Sequence, residues 1–247
     1  MRMLLPLLLL LPTNPSFANP LFAGFSADYE VSKNGTVLGI SHRQLIARDQ
    51  GKKLDYAATT IPTGIVALFI SDRFMEHSLM QVMSTGIQPQ QYEYQRTGGK
   101  KEITFQAKFN WPHKNILVSG QANPQPLLPN TQDLLSFQIA LMQGLARGIK
   151  KFKFQIVDHK RVQLQELEYT QSSIQNSSLG PLDVLQLEHH AAQSHYRFTF
   201  WCAKQLDYLP IKITKTEQDG DIIQLKLQRF NKKAFYLREP TYQGNDD

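Results

Sequence analysis

Apolar and polar residues alternate along most of this chain, the pattern of β-strands with one buried and one solvated face. In DYEVSKNGTVLGISHRQLIA, Asp28 to Ala47, two alternating runs flank Asn34-Gly35, a pair suited to a tight hairpin turn. YEYQRTGGKKEITFQAKFNW repeats the device, with Gly98-Gly99 at the turn and Ile103, Phe105, Ala107 and Phe109 on one face. KFKFQIVDHKRVQLQELEYTQ sets Phe152, Phe154 and Ile156 on one side and turns at His159-Lys160-Arg161. A last pair, Ile211 to Thr216 and Ile222 to Arg229, is joined through Asp219-Gly220-Asp221. The expectation is a succession of antiparallel hairpins.

One segment breaks the period. In NTQDLLSFQIALMQGLARG, the residues Leu134, Phe137, Leu141 and Leu145 follow helical spacing, with Leu135, Ile139 and Met142 beside them. This predicts a helix of about four turns, with Asn130 or Thr131 as its N-cap and Gly148 at its end. Its apolar arc is broad, so it is expected to be buried. A shorter helix fits Gly64 to Phe69. Pro-rich Asn123 to Asn130 and polar Thr170 to Pro181 read as loops, because strands of the same character continue on both sides. The predicted fold class is mainly β: a many-stranded curved antiparallel sheet, open barrel or sandwich, with one long helix packed on its apolar face.

The first residues, MRMLLPLLLLLPTNPSFANP, place Arg2 before an apolar run and end it in small residues at Ser16 to Ala18, the layout of a secretory signal peptide. That run is shorter than the roughly 20 residues a membrane-spanning helix needs, so no transmembrane segment is expected. Residues 1–18 are therefore read as a signal peptide and 19–247 as a single β-rich domain, with a core from about 25 to 230 and a short polar tail. No cysteine follows the cleavage point to carry a lipid, and the expected location is the periplasm. With one cysteine, the chain forms no internal disulfide, so a hydrophobic core must hold the fold. The net charge of +6 suits anionic lipid or glycan as a partner. Aromatic residues do not interleave with the cations as stacking platforms would, and nucleic acid is not expected.

Cys202 follows Tyr196, Phe198 and Phe200 at alternate positions, so it reads as a buried strand residue rather than a nucleophile. His189, His190 and His195 lie near Glu188, but adjacent strand residues point to opposite faces, and no metal site is expected. Glu166 and Glu168 share a strand face without apolar surroundings to separate their pKa values. No nucleophile elbow, phosphate loop or dinucleotide fingerprint is present. Neither catalytic residues nor cofactors are assigned.

Three segments in this order carry a resemblance: FSADYEVSKNGTVLG near the N-terminus, DLLSF at Asp133 to Phe137, and RFTFWCAKQLDYLPIKI from Arg197. Together the chain resembles the domain of unknown function 3108 family of exported bacterial proteins, over about Phe25 to Phe230. The resemblance implies export and a mostly antiparallel β fold, and brings no catalytic residues. Within its motifs, Asp133 is placed to meet free amide protons of the helix, Trp201 to anchor a strand, and Pro210 to begin the next one.

The function expected is a non-enzymatic periplasmic envelope protein. It binds a lipid-like or amphiphilic component in an apolar groove built from Leu134, Phe137, Leu141, Phe198 and Phe200, or it serves as a scaffold for another envelope protein. The alternative is an envelope glycan or peptidoglycan hydrolase using Asp133, Glu166, Glu168 or the histidines.

Overall fold

The computed structural model describes residues 24–159, 162–189 and 196–232. The expected signal peptide, the polar tail, the Lys160-Arg161 turn and both His190 and His195 lie outside the described residues.

Among the described residues, the alternating segments form one sheet of fifteen strands. Its first half comprises β1 (Phe25–Lys33), β2 (Thr36–Arg48), β3 (Lys53–Pro62), β4 (Arg73–Met83), β5 (Gly86–Thr97), β6 (Ile103–Asn110), β7 (Asn115–Val118) and the short β8 (Gln125–Pro126). After β9 (Thr131–Asp133) and a helix, α1 (Ser136–Ala146), come β10 (Lys151–Val157), β11 (Val162–Ser177) and β12 (Gly180–His189). The described residues end with β13 (Tyr196–Ala203), β14 (Leu209–Glu217) and β15 (Ile222–Lys232).

The first and last strands, β1 and β15, pair antiparallel in mid-sheet, and the two halves extend away from them to the edges β8 and β9. Neighbours in the sheet are otherwise neighbours in sequence, as hairpins require. Asn34 (φ 49°) and Gly35 (φ 81°) make the left-handed turn expected between β1 and β2. The exception to antiparallel pairing is β9 with β10. A parallel pair needs a crossover that returns the chain to the same end, and α1 makes that crossing.

The helix is shorter than its apolar pattern predicts. It begins at Ser136 and runs for eleven residues, about three turns. Asn130 and Thr131 do not cap it, because Thr131–Asp133 is a strand held on β10, and Leu134 precedes the first turn with its side chain exposed. The predicted end is found: Gly148 takes φ 78°, its amide donates to Leu145 O, and the Ile149 amide reaches back to Gly144 O, a Schellman closure. The polar stretch read as a loop, Thr170 onward, instead extends β11 to Ser177 and pairs with β12. Apart from the exposed Ile174 its side chains are polar on both faces, so period-two alternation of hydrophobicity was absent while the backbone ladder was not.

Only Ala146 of the helix is exposed; Phe137 and Ala140 are half-buried and the other eight residues are buried. Two apolar clusters meet it. Leu135, Ile139 and Met142 pack with residues of the first half of the sheet, among them Leu45, Tyr56 and Tyr92. Leu141 and Leu145 pack with Phe152, Phe154, Phe200 and Cys202. The curved sheet thus wraps around the helix, which divides the core in two.

The close approach of helix and β10 depends on Gly144. A Cβ built there stands 2.3 Å from the Phe152 ring. Alanine has the better helix propensity by about 1 kcal/mol, but the clash forces Phe152 to move. Gly144→Ala is expected to lower stability in urea unfolding by about 1–3 kcal/mol despite that gain.

Candidate functional site

Asp133 is fully buried and ends β9 just before α1. Its Oδ1 accepts the backbone amides of Leu135 and Ser136, each at 2.8 Å, and its Oδ2 accepts the Ser78 hydroxyl at 2.7 Å. The Asp133 amide donates in turn to Ser136 Oγ at 2.9 Å. Free helix amides that water cannot reach are thereby satisfied. Burial pushes the Asp133 carboxyl up to about 6, with the Ser136, Ser78 and Leu135 hydrogen bonds pulling the other way. The expected contact with helix amides is present, and the carboxylate does structural work inside the protein.

A second polar group holds the same helix from the side. Gln138 Oε1 accepts from Arg43 Nη1 at 2.5 Å and from the Tyr56 hydroxyl at 3.0 Å. The Arg43 guanidinium lies 5.0 Å from the Tyr29 ring centre. Arg43 stands opposite Ala58, and Ala58 opposite Glu76, so a small residue lets the two charges face each other across β3. Glu76 accepts the Tyr92 hydroxyl at 2.7 Å, and burial raises its carboxyl above the ordinary value. None of these residues stands out by motif. The available signal was phase: Arg43 falls on the inward register of β2 with Ser41, Leu45 and Ala47.

A recess lies elsewhere. The start of β5, residues 127–130, the C-terminal half of α1 and the start of β10 enclose a groove of about 680 Å³. Ile87, Leu127, Phe152 and Phe154 line it as buried apolar side chains, with the half-buried Trp111 beside them. The Trp111 ring is fixed by its N–H, which donates to Pro89 O at 2.7 Å. The charged lining residues are Lys114, Arg147, Lys151 and Lys153, and no carboxylate lines the groove. Lys151 and Lys153 pair across the strand with Glu168 at 2.7 Å and Glu166 at 2.9 Å. Lys114 and Arg147 form no ion pair among the described residues.

Of the five residues expected to form a groove, Leu141 and Phe200 are buried and Phe137 and Phe198 pack half-buried against their cluster. Phe137 meets Phe154 and Phe200 edge-on at 5.2 and 5.8 Å. Leu134 stands apart, 38% exposed. These residues make a packed cluster, and none of the five lines the recess. Trp201 is half-buried with Lys212 Nζ 4.3 Å from its ring, and the Pro210 carbonyl accepts the Tyr29 hydroxyl at 2.9 Å. Cys202 is fully buried and burial pushes its thiol well above the ordinary value. A bulge after Trp201 breaks the simple alternation, so Ala203 is buried beside it. His189 stacks on Tyr196 at 5.7 Å. Asp133, Glu166 and Glu168 do not line the groove, and the described residues hold no cluster of three potential metal ligands. No helix among the described residues is long and apolar enough to cross a membrane.

The family model described as a protein of unknown function (DUF3108) matches residues 28–228. The structure is similar to the crystal structure of a β-barrel-like protein of domain of unknown function DUF1849 from Brucella abortus. The TM-score is 0.59 at 12% identity, over 85% of this chain and 98% of that one. At that identity the likeness concerns the fold. No curated protein matches the chain.

The Asp133 environment sets a pH dependence. Its folded pKa lies above the 3.8 of an ordinary carboxyl, so its contribution to stability is fully present below pH 3.8 and is lost as pH rises through about 6. Asp133→Asn keeps an oxygen for both amides and an N–H for Ser78 but does not titrate. Between pH 4 and 7 the variant is expected to gain on the parent by about 2–3 kcal/mol in chemical denaturation. A pH-independent difference would contradict this assignment.

Proposed function

The chain belongs to the DUF3108 family of proteins of unknown function, and from that premise we propose that it is a non-enzymatic envelope protein. In this reading its N-terminal segment directs it to the periplasm, where it holds an anionic amphiphile in the groove beside α1. The observation that carries the reading is a recess with an apolar floor, two lining cations that pair with no carboxylate among the described residues, Lys114 and Arg147, and no carboxylate in its lining. Its volume of about 680 Å³ falls in the range of sites for small organic molecules.

The chemistry of the lining divides the ligand in two. Ile87, Leu127, Phe152 and Phe154 offer a surface to a hydrocarbon chain, at roughly 0.8 kcal/mol for each methylene taken from water. Lys114 and Arg147, the cations without a carboxylate partner, face the headgroup. The planar fork of Arg147 suits a carboxylate or phosphate through paired N–H bonds. A scaffold has no use for such a recess, which favours the binding reading over it. The Met3 to Pro12 apolar run behind Arg2 supports export.

The two tryptophans make the groove observable. Trp111 lines it and Trp201 does not, so Trp201→Phe leaves one reporter inside the site. Titrating that variant with a fatty acid brominated in mid-chain is expected to quench Trp111 saturably. Arg147→Glu, on an exposed side chain, is expected to weaken the titration about tenfold, the size of a lost charge-assisted hydrogen bond. Absence of saturable quenching would overturn the reading.

A further inference from the structure

The connection between β3 and β4 displays apolar side chains where a water-soluble surface should not. Ile65, Leu68 and Phe69 are 76%, 77% and 85% exposed, the highest values among large apolar residues in the described chain, and Ile70 adjoins them. Side chains exposed to this degree project from the surface rather than lie along it. The segment is nevertheless built. A 3₁₀ turn spans Gly64–Leu68, the amides of Phe69 and Ile70 both donate to Val66 O, and the Thr63 amide donates to Leu38 O. Its polar backbone is partly satisfied internally while its apolar groups point outward.

Cations flank this tip. Its stem, Ser71 and Asp72, presses on the turn between β5 and β6: the Ser71 hydroxyl donates to Gly98 O, and a Cβ on Gly99 would stand 2.1 Å from Asp72. That turn carries Lys100 and Lys101, both exposed, and β4 opens with the exposed Arg73. The neighbouring acids are Asp72, which Arg96 binds, and Glu102. Among the described residues, three cations without an ion pair therefore stand against one such carboxylate.

We propose that this tip docks on an anionic lipid surface. The four apolar side chains enter the acyl boundary while Arg73, Lys100 and Lys101 meet headgroup phosphates, the division of labour of interfacial anchors. Large exposed apolar patches mark interaction sites, and the positive rim complements a lipid of negative charge. The inference does not rest on the groove. The groove lies at the Gly86 end of β5 and the tip beyond its Thr97 end, roughly 35 Å away along the strand.

Co-sedimentation of residues 19–247 with vesicles tests it, comparing phosphatidylglycerol mixed with phosphatidylethanolamine against phosphatidylcholine alone. The anionic vesicles are expected to bind the protein, and binding is expected to fall as salt rises. Leu68→Ser with Phe69→Ser should weaken binding at least tenfold. Lys100→Glu with Lys101→Glu should weaken it at least fivefold for each lysine lost. All four positions are exposed, so circular dichroism should show an unchanged fold. The Trp111 titration should be unaffected by either pair, which separates failure here from failure of the groove reading. Absence of vesicle binding, or equal binding by the parent and Leu68→Ser/Phe69→Ser, overturns the proposal. Self-association relieved by that pair, without vesicle binding, overturns it in favour of a second copy of this chain as the occupant.

Discussion

A helix enclosed by a sheet must satisfy its first amide protons without water, because an unpaired buried N–H costs about as much as a hydrogen bond is worth. Asp133 meets that requirement for α1, and much of the architecture is arranged so that it can. The carboxylate is carried on β9, whose parallel pairing with β10 fixes its height. Ser78 on β4 holds its second oxygen from the other half of the curved sheet. Gln138, one turn along, is gripped by Arg43 and Tyr56, and the Gln132 side-chain amide donates to Ile87 O at 2.9 Å. These contacts set the position and tilt of the helix, while the two apolar clusters supply the non-directional driving force. The cost is a carboxyl group whose charge is disfavoured by burial.

The helix position in turn makes the recess. Its C-terminal half forms one wall, and Gly144 lets Phe152 lie close against it. The wall's outer end, at Arg147, reaches solvent with a cation that donates to Ser84 O at 3.5 Å and pairs with no carboxylate among the described residues. The same strand, β5, borders the recess at one end and leads to the apolar tip at the other. The proposed lipid-docking tip and the proposed amphiphile groove therefore lie at opposite ends of one strand.

Period-two alternation and the Asn34-Gly35 turn made the hairpins legible in the sequence, since each strand has one face on the core. The helix was legible too, but its start was not. Leu134 continues the helical spacing by coincidence, while Thr131 to Asp133 are recruited to β10 by a tertiary pairing that no local pattern announces. The polar half of β11 was missed because its pairing with β12 is a backbone affair. The aromatic residues expected to form a groove do not line the recess: Phe137, Phe198 and Phe200 pack against one another, whereas the recess is assembled from segments near 86, 111, 128, 147 and 152. Such a site depends on how distant segments meet. The tip was visible as an apolar run, and only its exposure distinguishes it from a core segment.

The occupant proposed for the groove beside α1 is an anionic amphiphile. Native mass spectrometry of the chain purified from a bacterial periplasm without detergent addresses it most directly. The account predicts a reproducible mass excess that extracts into organic solvent as an acidic lipid-like molecule. A clean apoprotein mass, obtained under conditions that preserve a known lipid carrier's complex, would contradict it.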